Sequence, residues 1–325
     1  MDNQNDIKKE RTASRRGRGC LIWLGGVLEV LLVLLLVGWI YEPIAEAADT
    51  KAYPPPGQMV DVGGYRLHIN CTGEGSPTVV IEAGLGDWST GWGYVQPEVA
   101  NSTRVCTYDR AGWGWSEQGP EPRDAAQIAK ELHTLLQKAN IPGPYVIVGH
   151  SLGGLPVRLF THDYPTEVGG VVLIESMFPG QTGYATPSIV TSSFPLLARI
   201  GLVRLLVRPL GLINYTPPSE KTYYSLYVRP KSAQALVDEI QAIPDSMTQA
   251  GAVNTFGDLP LIVLTGKLNQ APGWQSGQAE LSTLSIKGQQ LFADNSGHTV
   301  AIEQPDAAVA AILKMVEQVR QSTQK

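Results

Sequence analysis

The sequence predicts an α/β fold: a mainly parallel, eight-stranded sheet with helices on both faces, an inserted and largely helical cap, and one N-terminal transmembrane helix. Three observations predict it. Eight short β-branched or apolar runs beyond residue 57 are interleaved with helical patterns. One of those runs turns into a helix through Gly149-His150-Ser151-Leu152-Gly153. Near the start, Leu21 to Ile40 is almost wholly apolar, the length that crosses a hydrocarbon layer as a helix.

That apolar run, LIWLGGVLEVLLVLLLVGWI, carries one charge, Glu29, read as a tolerated or helix-pairing residue. Lys8, Lys9, Arg11, Arg15, Arg16 and Arg18 precede it, and Glu42, Glu46 and Asp49 follow. Positive charge stays on the cytoplasmic side, so a single-pass protein of the cell membrane is expected, N-terminus cytoplasmic and the remainder extracytoplasmic. A cleaved signal peptide is the rival, with Ala45-Glu46-Ala47 as its cleavage site. Signal h-regions span roughly 7 to 15 residues, and the longer run here favours an uncleaved anchor. The expected order is a basic tail (1–20), a transmembrane helix (21–41) and a stiff spacer (42–57) containing Pro54, Pro55 and Pro56.

The globular part begins at Gln58, where QMVDVGG and YRLHIN read as an edge hairpin turning at Gly63-Gly64. TVVIEAG and TRVCTYD follow as buried strands. DAAQIAKELHTLLQKA puts Ile128, Leu132, Leu135, Leu136 and Ala139 on one helical face, with Asp124 as N-cap. Then come the strand and helix of YVIVGHSLGGLPVRLF and the strand VGGVVLIES. From 177 to 258 the pattern becomes Pro-punctuated, with Phe178, Tyr184, Phe194, Tyr215, Tyr223, Tyr224 and Tyr227 read as exposed, as in a cap. PLIVLTG and GQQLFA resume the sheet, and Pro305 opens a closing helix. The core is thus 58–176 plus 259–325, and the cap 177–258.

Composition excludes some partners. The net charge is −5, with no basic stripe beyond the tail, which leaves nucleic acid without an electrostatic footprint. Cys20, Cys71 and Cys106 form no CxxC pair and no ligand spacing with histidine, so no metal site is expected.

The chemistry centres on the GxSxG segment, which lies between a strand and a helix as that motif requires. A serine in a strained turn needs neighbours without side chains, which Gly149 and Gly153 supply. The following helix aims its N-terminal N–H groups at the hydroxyl. Ser151 is therefore the candidate nucleophile. Of the five histidines, only His298, in DNSGHTV between the last strand and last helix, sits in a loop fit for a general base. His68, His133 and His162 read as packing or surface residues, and His150 as support for the turn. An oxyanion hole needs two backbone donors. Leu152 N–H offers one, and Leu85 N–H, flanked by Gly84 and Gly86, the other.

On GHSLGG, EAGLG (82–86) and YDRAGWGWS (108–116), the chain from Gln58 onward resembles the α/β-hydrolase superfamily, in its cap-containing esterase, lipase and proline-iminopeptidase-like branch. The resemblance implies an eight-stranded α/β-hydrolase sheet and a Ser-His-acid triad. One departure matters: the usual place for the acid, three residues beyond Gly266, holds Asn269, and no Asp or Glu occurs from Leu259 to Ala279. Some members place the acid at the end of the preceding strand, where this chain has Glu175; Asp294 is the second candidate. The resemblance sets Cys71 and Cys106 in adjacent strands, compatible with a disulfide or two buried thiols. Asp109 and Arg110 read as a hydrogen-bonded turn before substrate contacts. Trp88, Trp92, Trp113 and Trp115 fit an apolar site mouth or ordinary packing equally well.

The expected activity is cofactor-free hydrolysis of a small-molecule ester or amide through an acyl-enzyme. A perhydrolase or haloperoxidase using the same triad, and a catalytically silent membrane-tethered binding protein, stay open as alternatives.

Overall fold

The computed structural model describes residues 2–181, 188–211 and 217–323. Helix α1 (Asp2–Ala52) comes first, followed by β1 (Gln58–Asp61), β2 (Arg66–Thr72) and β3 (Thr78–Glu82). A 3₁₀ turn at Ser89–Trp92 and α2 (Gln96–Ala100) lead to β4 (Val105–Tyr108), α3 (Ala125–Lys138) and β5 (Tyr145–His150). Then come α4 (Gly154–Asp163) and β6 (Val168–Ile174). Among the described residues, four helices stand between β6 and β7: α5 (Ser188–Arg199), α6 (Leu202–Leu206), α7 (Glu220–Tyr227) and α8 (Pro230–Gly251). The chain closes with β7 (Leu261–Gly266), α9 (Trp274–Ser282), β8 (Gly288–Ala293), α10 (Val300–Glu303) and α11 (Pro305–Thr323).

The eight strands form one sheet in the order β1-β2-β4-β3-β5-β6-β7-β8. β2 runs antiparallel to both β1 and β4, and every later pairing is parallel. Parallel strands need crossovers and so carry helices on both faces. Val80, Ile147, Val171 and Val263 pack on one side with α3 and α4, whereas Val79, Val146, Val172 and Ile262 pack on the other with α11. The alternation along each strand divides the core in two. The α3 face is as expected, and the Asp124 carboxylate accepts from Gln127 N at 2.9 Å to cap it.

Several expectations change. α1 continues through Pro43 to Ala52, so most of the expected spacer is helical. The reason is tertiary: Glu42 is buried and takes a two-pronged grip from Arg204, Nε to Oε2 at 2.9 Å and Nη2 to Oε1 at 2.8 Å. Asp49 Oδ2 accepts from Arg204 Nη1 at 2.6 Å. These contacts outweigh the one helical hydrogen bond that Pro43 removes. His68 is not on an edge strand but on β2, inside the sheet, fully buried with Nδ1 3.0 Å from Asp109 Oδ2. Tyr223 is buried, and Phe178, Phe194, Tyr224 and Tyr227 are half-buried rather than exposed. Tyr184 and Tyr215 lie outside the described residues. Cys71 and Cys106 stand opposite each other on β2 and β4 and are joined by a disulfide.

Candidate active site

Loops at the C-terminal ends of the parallel strands β3, β5, β6 and β8 build the candidate site, which is where such sheets open a crevice. Ser151 follows β5 with φ of 51°, a left-handed conformation uncommon for a side-chain-bearing residue, and begins a short 3₁₀ turn before α4. The helix expected after the motif is therefore preceded by a tighter turn, with α4 starting at Gly154. The turn tolerates no Cβ at its glycines. One at Gly149 would stand 2.9 Å from Gly153 O, and one at Gly153 would stand 2.5 Å from Ala83 O. Gly154, not singled out in the sequence, is tightest: its Cβ would fall 1.6 Å from Ser176 Oγ.

His298 lies in the loop between β8 and α10, its Nε2 2.9 Å from Ser151 Oγ. Its Nδ1 is 3.2 Å from Glu175 Oε2. Glu175 stands one residue past β6 at φ of 46° and is wholly buried. Gly266 N–H donates to its Oε1 at 2.7 Å, and the Asn269 amide donates to its Oε2 at 2.6 Å. These two donors satisfy the buried carboxyl oxygens and fix the group beside the imidazole. Asn269, at the position where relatives carry an acid, thus supports the carboxylate supplied by the neighbouring strand. Asp294 is exposed and pairs with Lys267 at 2.6 Å, away from the imidazole.

Two further residues contact His298, the candidate base. His150 Nε2–H donates to His298 O at 2.9 Å. Burial, then the neighbouring His298, pushes the His150 ring down to about 4, so it is neutral and suited to this single donation. The Trp274 ring meets His298 edge-on, with centroids 5.2 Å apart. Nothing in the sequence around Trp274 marked it.

Gly84, Leu85 and Gly86 share the wall of a cavity of about 290 Å³ with Ser151, His298, Tyr223, Tyr227 and Leu236. Asp87 N–H closes the loop onto Gly84 O at 3.2 Å, and Gly86 takes φ of 74°, which glycine adopts without strain. Gly84 is also a steric necessity, since its Cβ would lie 2.9 Å from His150 Nδ1. Leu152 is buried immediately behind Ser151.

Below the loop, Arg110 is a buried hub. Nη1 donates to Ala83 O at 2.6 Å and Glu82 Oε1 at 2.7 Å, and Nη2 donates to Gly84 O at 2.8 Å. From the α8 side, Glu239 accepts Arg110 Nε at 2.7 Å, Nη2 at 2.9 Å and Trp113 Nε1 at 2.9 Å. The expected hydrogen-bonded turn is present. Asp109 accepts from Ser89 N–H and Trp115 N–H, and Arg110 is buried against the loop rather than lining the cavity. The four tryptophans are packing residues: all are buried, and Trp88 stacks between Tyr223 and Trp113. Of the other histidines, His133 stacks on Tyr164 and His162 is exposed beside Asp163.

The comparisons with known proteins agree with this architecture. A family model described as "alpha/beta hydrolase fold" matches residues 77–305, and the chain belongs to that family. An uncharacterized protein of Schizosaccharomyces pombe is 26% identical over 326 residues, covering 84% of this chain and 58% of its own length. Curated relatives are longer than this chain's match to them, which spans from 18% to 58% of their length. Among solved structures, the enol-lactonase of Burkholderia xenovorans LB400 superimposes with a TM-score of 0.64 at 19% identity, over 80% of this chain and all of that one. A thermophilic esterase from Thermogutta terrifontis gives 0.61 at 20% identity, over 81% and 98%.

Proposed function

We propose that this protein is a membrane-anchored serine hydrolase that cleaves an ester or amide through an acyl-enzyme on Ser151. The observation that carries the reading is the line Ser151 Oγ, His298 Nε2, His298 Nδ1, Glu175 Oε2, with gaps of 2.9 and 3.2 Å, opening on the cavity. In this reading the Ser151 hydroxyl donates to Nε2, and the Nδ1–H donates to Glu175. As Oγ attacks the carbonyl carbon, His298 takes its proton, and Glu175 stabilises the imidazolium. The N–H groups of Leu85 and Leu152 receive the oxyanion of the tetrahedral intermediate. His298 then protonates the leaving oxygen or nitrogen, and a water activated by the same imidazole releases the acid and restores Ser151.

The apolar half of α1 is exposed from Trp23 to Ile40 and serves as the anchor in this reading. The basic residues before it support an N-terminus in the cytoplasm. A Cys71–Cys106 disulfide suits an oxidising compartment on the far side.

The test uses full-length protein in detergent against p-nitrophenyl esters of increasing acyl length and against aminoacyl amides. Turnover of at least one series, lost by roughly 10⁴-fold or more in Ser151→Ala, is expected. No turnover of either series, or turnover that survives Ser151→Ala, would end the proposal.

A further inference from the structure

Outside α1, nine large apolar side chains are exposed among the described residues, and five of them, Leu196, Leu197, Leu205, Leu206 and Leu210, fall within one 15-residue stretch over α5, α6 and the turn after it. The opposite side of the same helices is already satisfied: Ala198, Val203 and Val207 pack inward with Val228, Ala233 and Phe194. Two short helices with apolar residues on both sides have one side too many for a protein facing only water.

Their position says what covers the outer side. The corner between α5 and α6 is pressed against α1 at Gly38, where a Cβ would stand 2.2 Å from Ile200 O. Gly38 lies two residues before the end of the apolar run at Ile40, about 3 Å along a helix rising 1.5 Å per residue. Arg204, between the leucine pairs, grips Glu42 and Asp49 just beyond that end. If α1 crosses a bilayer, the corner is held level with the boundary between hydrocarbon and the polar layer of about 5–7 Å. Arg199, exposed at the end of α5, has the long stem that lets a charge stay in that polar layer.

We infer that the outward leucines of α5 and α6 are a bilayer-contact surface, seated in the leaflet from which α1 emerges. The inference rests on the anchor proposed for α1 and is independent of the hydrolytic reading. Tyr227 of α7 packs against the inner side of this corner and also lines the cavity at Ser151, so the seated surface lies one helix away from the site.

The experiment measures depth. Full-length protein on a Cys20→Ser background is reconstituted into phosphatidylcholine vesicles, with a nitroxide attached in turn at Leu31→Cys, Leu205→Cys and Ile286→Cys. Collisions with oxygen, which concentrates in lipid, and with a soluble nickel chelate are compared. Ile286 is 86% exposed against 67% for Leu205, so water alone would treat the two labels alike. The inference expects oxygen-dominated relaxation at 31 and 205, with 205 roughly 5–10 Å deep, and nickel-dominated relaxation at 286. Nickel access at 205 equal to that at 286, with 31 in lipid, overturns the inference and leaves the anchor standing. Shielding of 205 from both reagents would mark a protein partner and also overturn it. Nickel access at 31 would overturn the anchor and this inference with it.

Discussion

Removing Glu239 tests whether helix α8 holds the loop beside Ser151. Arg110, Glu82 and Glu239 are all buried, and Glu239 accepts two of the five hydrogen bonds that Arg110 makes, as well as one from Trp113. Glu239→Ala leaves Arg110 Nε and Trp113 Nε1 without an acceptor in a dry site. Breaking a buried pair from one side costs about 3–5 kcal/mol. In a domain of this size each kcal/mol lowers Tm by about 2–4 °C, so the melting midpoint should fall by roughly 10 °C. Arg110 also holds the carbonyls of Ala83 and Gly84, and a loosened guanidinium releases the loop that carries Leu85. Below the new midpoint, kcat should fall at least tenfold, since one misplaced oxyanion donor costs about 10²–10³. Glu239→Gln, which keeps the shape and one acceptor, should fall between. The assay is tryptophan-fluorescence melting of full-length protein in detergent, with ester turnover measured at 20 °C below each midpoint. A midpoint within about 2 °C of wild type and an unchanged kcat would refute the bracing role.

Glu175→Gln should lower kcat by about 10³–10⁴ with near-wild-type circular dichroism, because the imidazolium loses its carboxylate. Adding Asn269→Asp to that variant returns a carboxylate from the next strand and should restore at least tenfold of the loss; no recovery would show that Asn269 cannot present an acid to His298. For pH, the sign follows from His150: unfolded, it binds a proton near 6.5, and folded only near 4. Its contribution is complete above 6.5 and is lost as pH falls from 6.5 to 4, by about 3 kcal/mol. Urea midpoints at pH 7.5 and 4.5 should separate accordingly in wild type and converge in His150→Gln; an equal separation in both would clear His150.

What the sequence made legible was local. The candidate nucleophile turn was readable because its requirements, a strand, two glycines around a serine and a helix, all lie within a dozen residues. His298 was readable from its place in a loop between the last strand and the last helix. Glu175 needed the resemblance, since a carboxylate ending a strand carries no signal of its own, and Asn269 showed only as a missing acid until its amide was seen on Glu175. The bracing of the loop at residues 84–86 was invisible because Arg110 and Glu239 are 129 residues apart. The length of α1 failed for the same reason: a stretch without helical periodicity leading into Pro54, Pro55 and Pro56 reads locally as a spacer, and Arg204, 162 residues beyond Glu42, holds it in the helix. Gly154 was passed over because its constraint comes from Ser176, in the loop after β6 and 22 residues further along the chain.

The account depends on Ser151 being a nucleophile that His298 activates. Full-length protein treated with a fluorophosphonate and digested should yield one peptide bearing the adduct on Ser151, with labelling abolished in Ser151→Ala and slowed by orders of magnitude in His298→Ala. No adduct on Ser151 in wild type, or labelling as fast in His298→Ala, would contradict it.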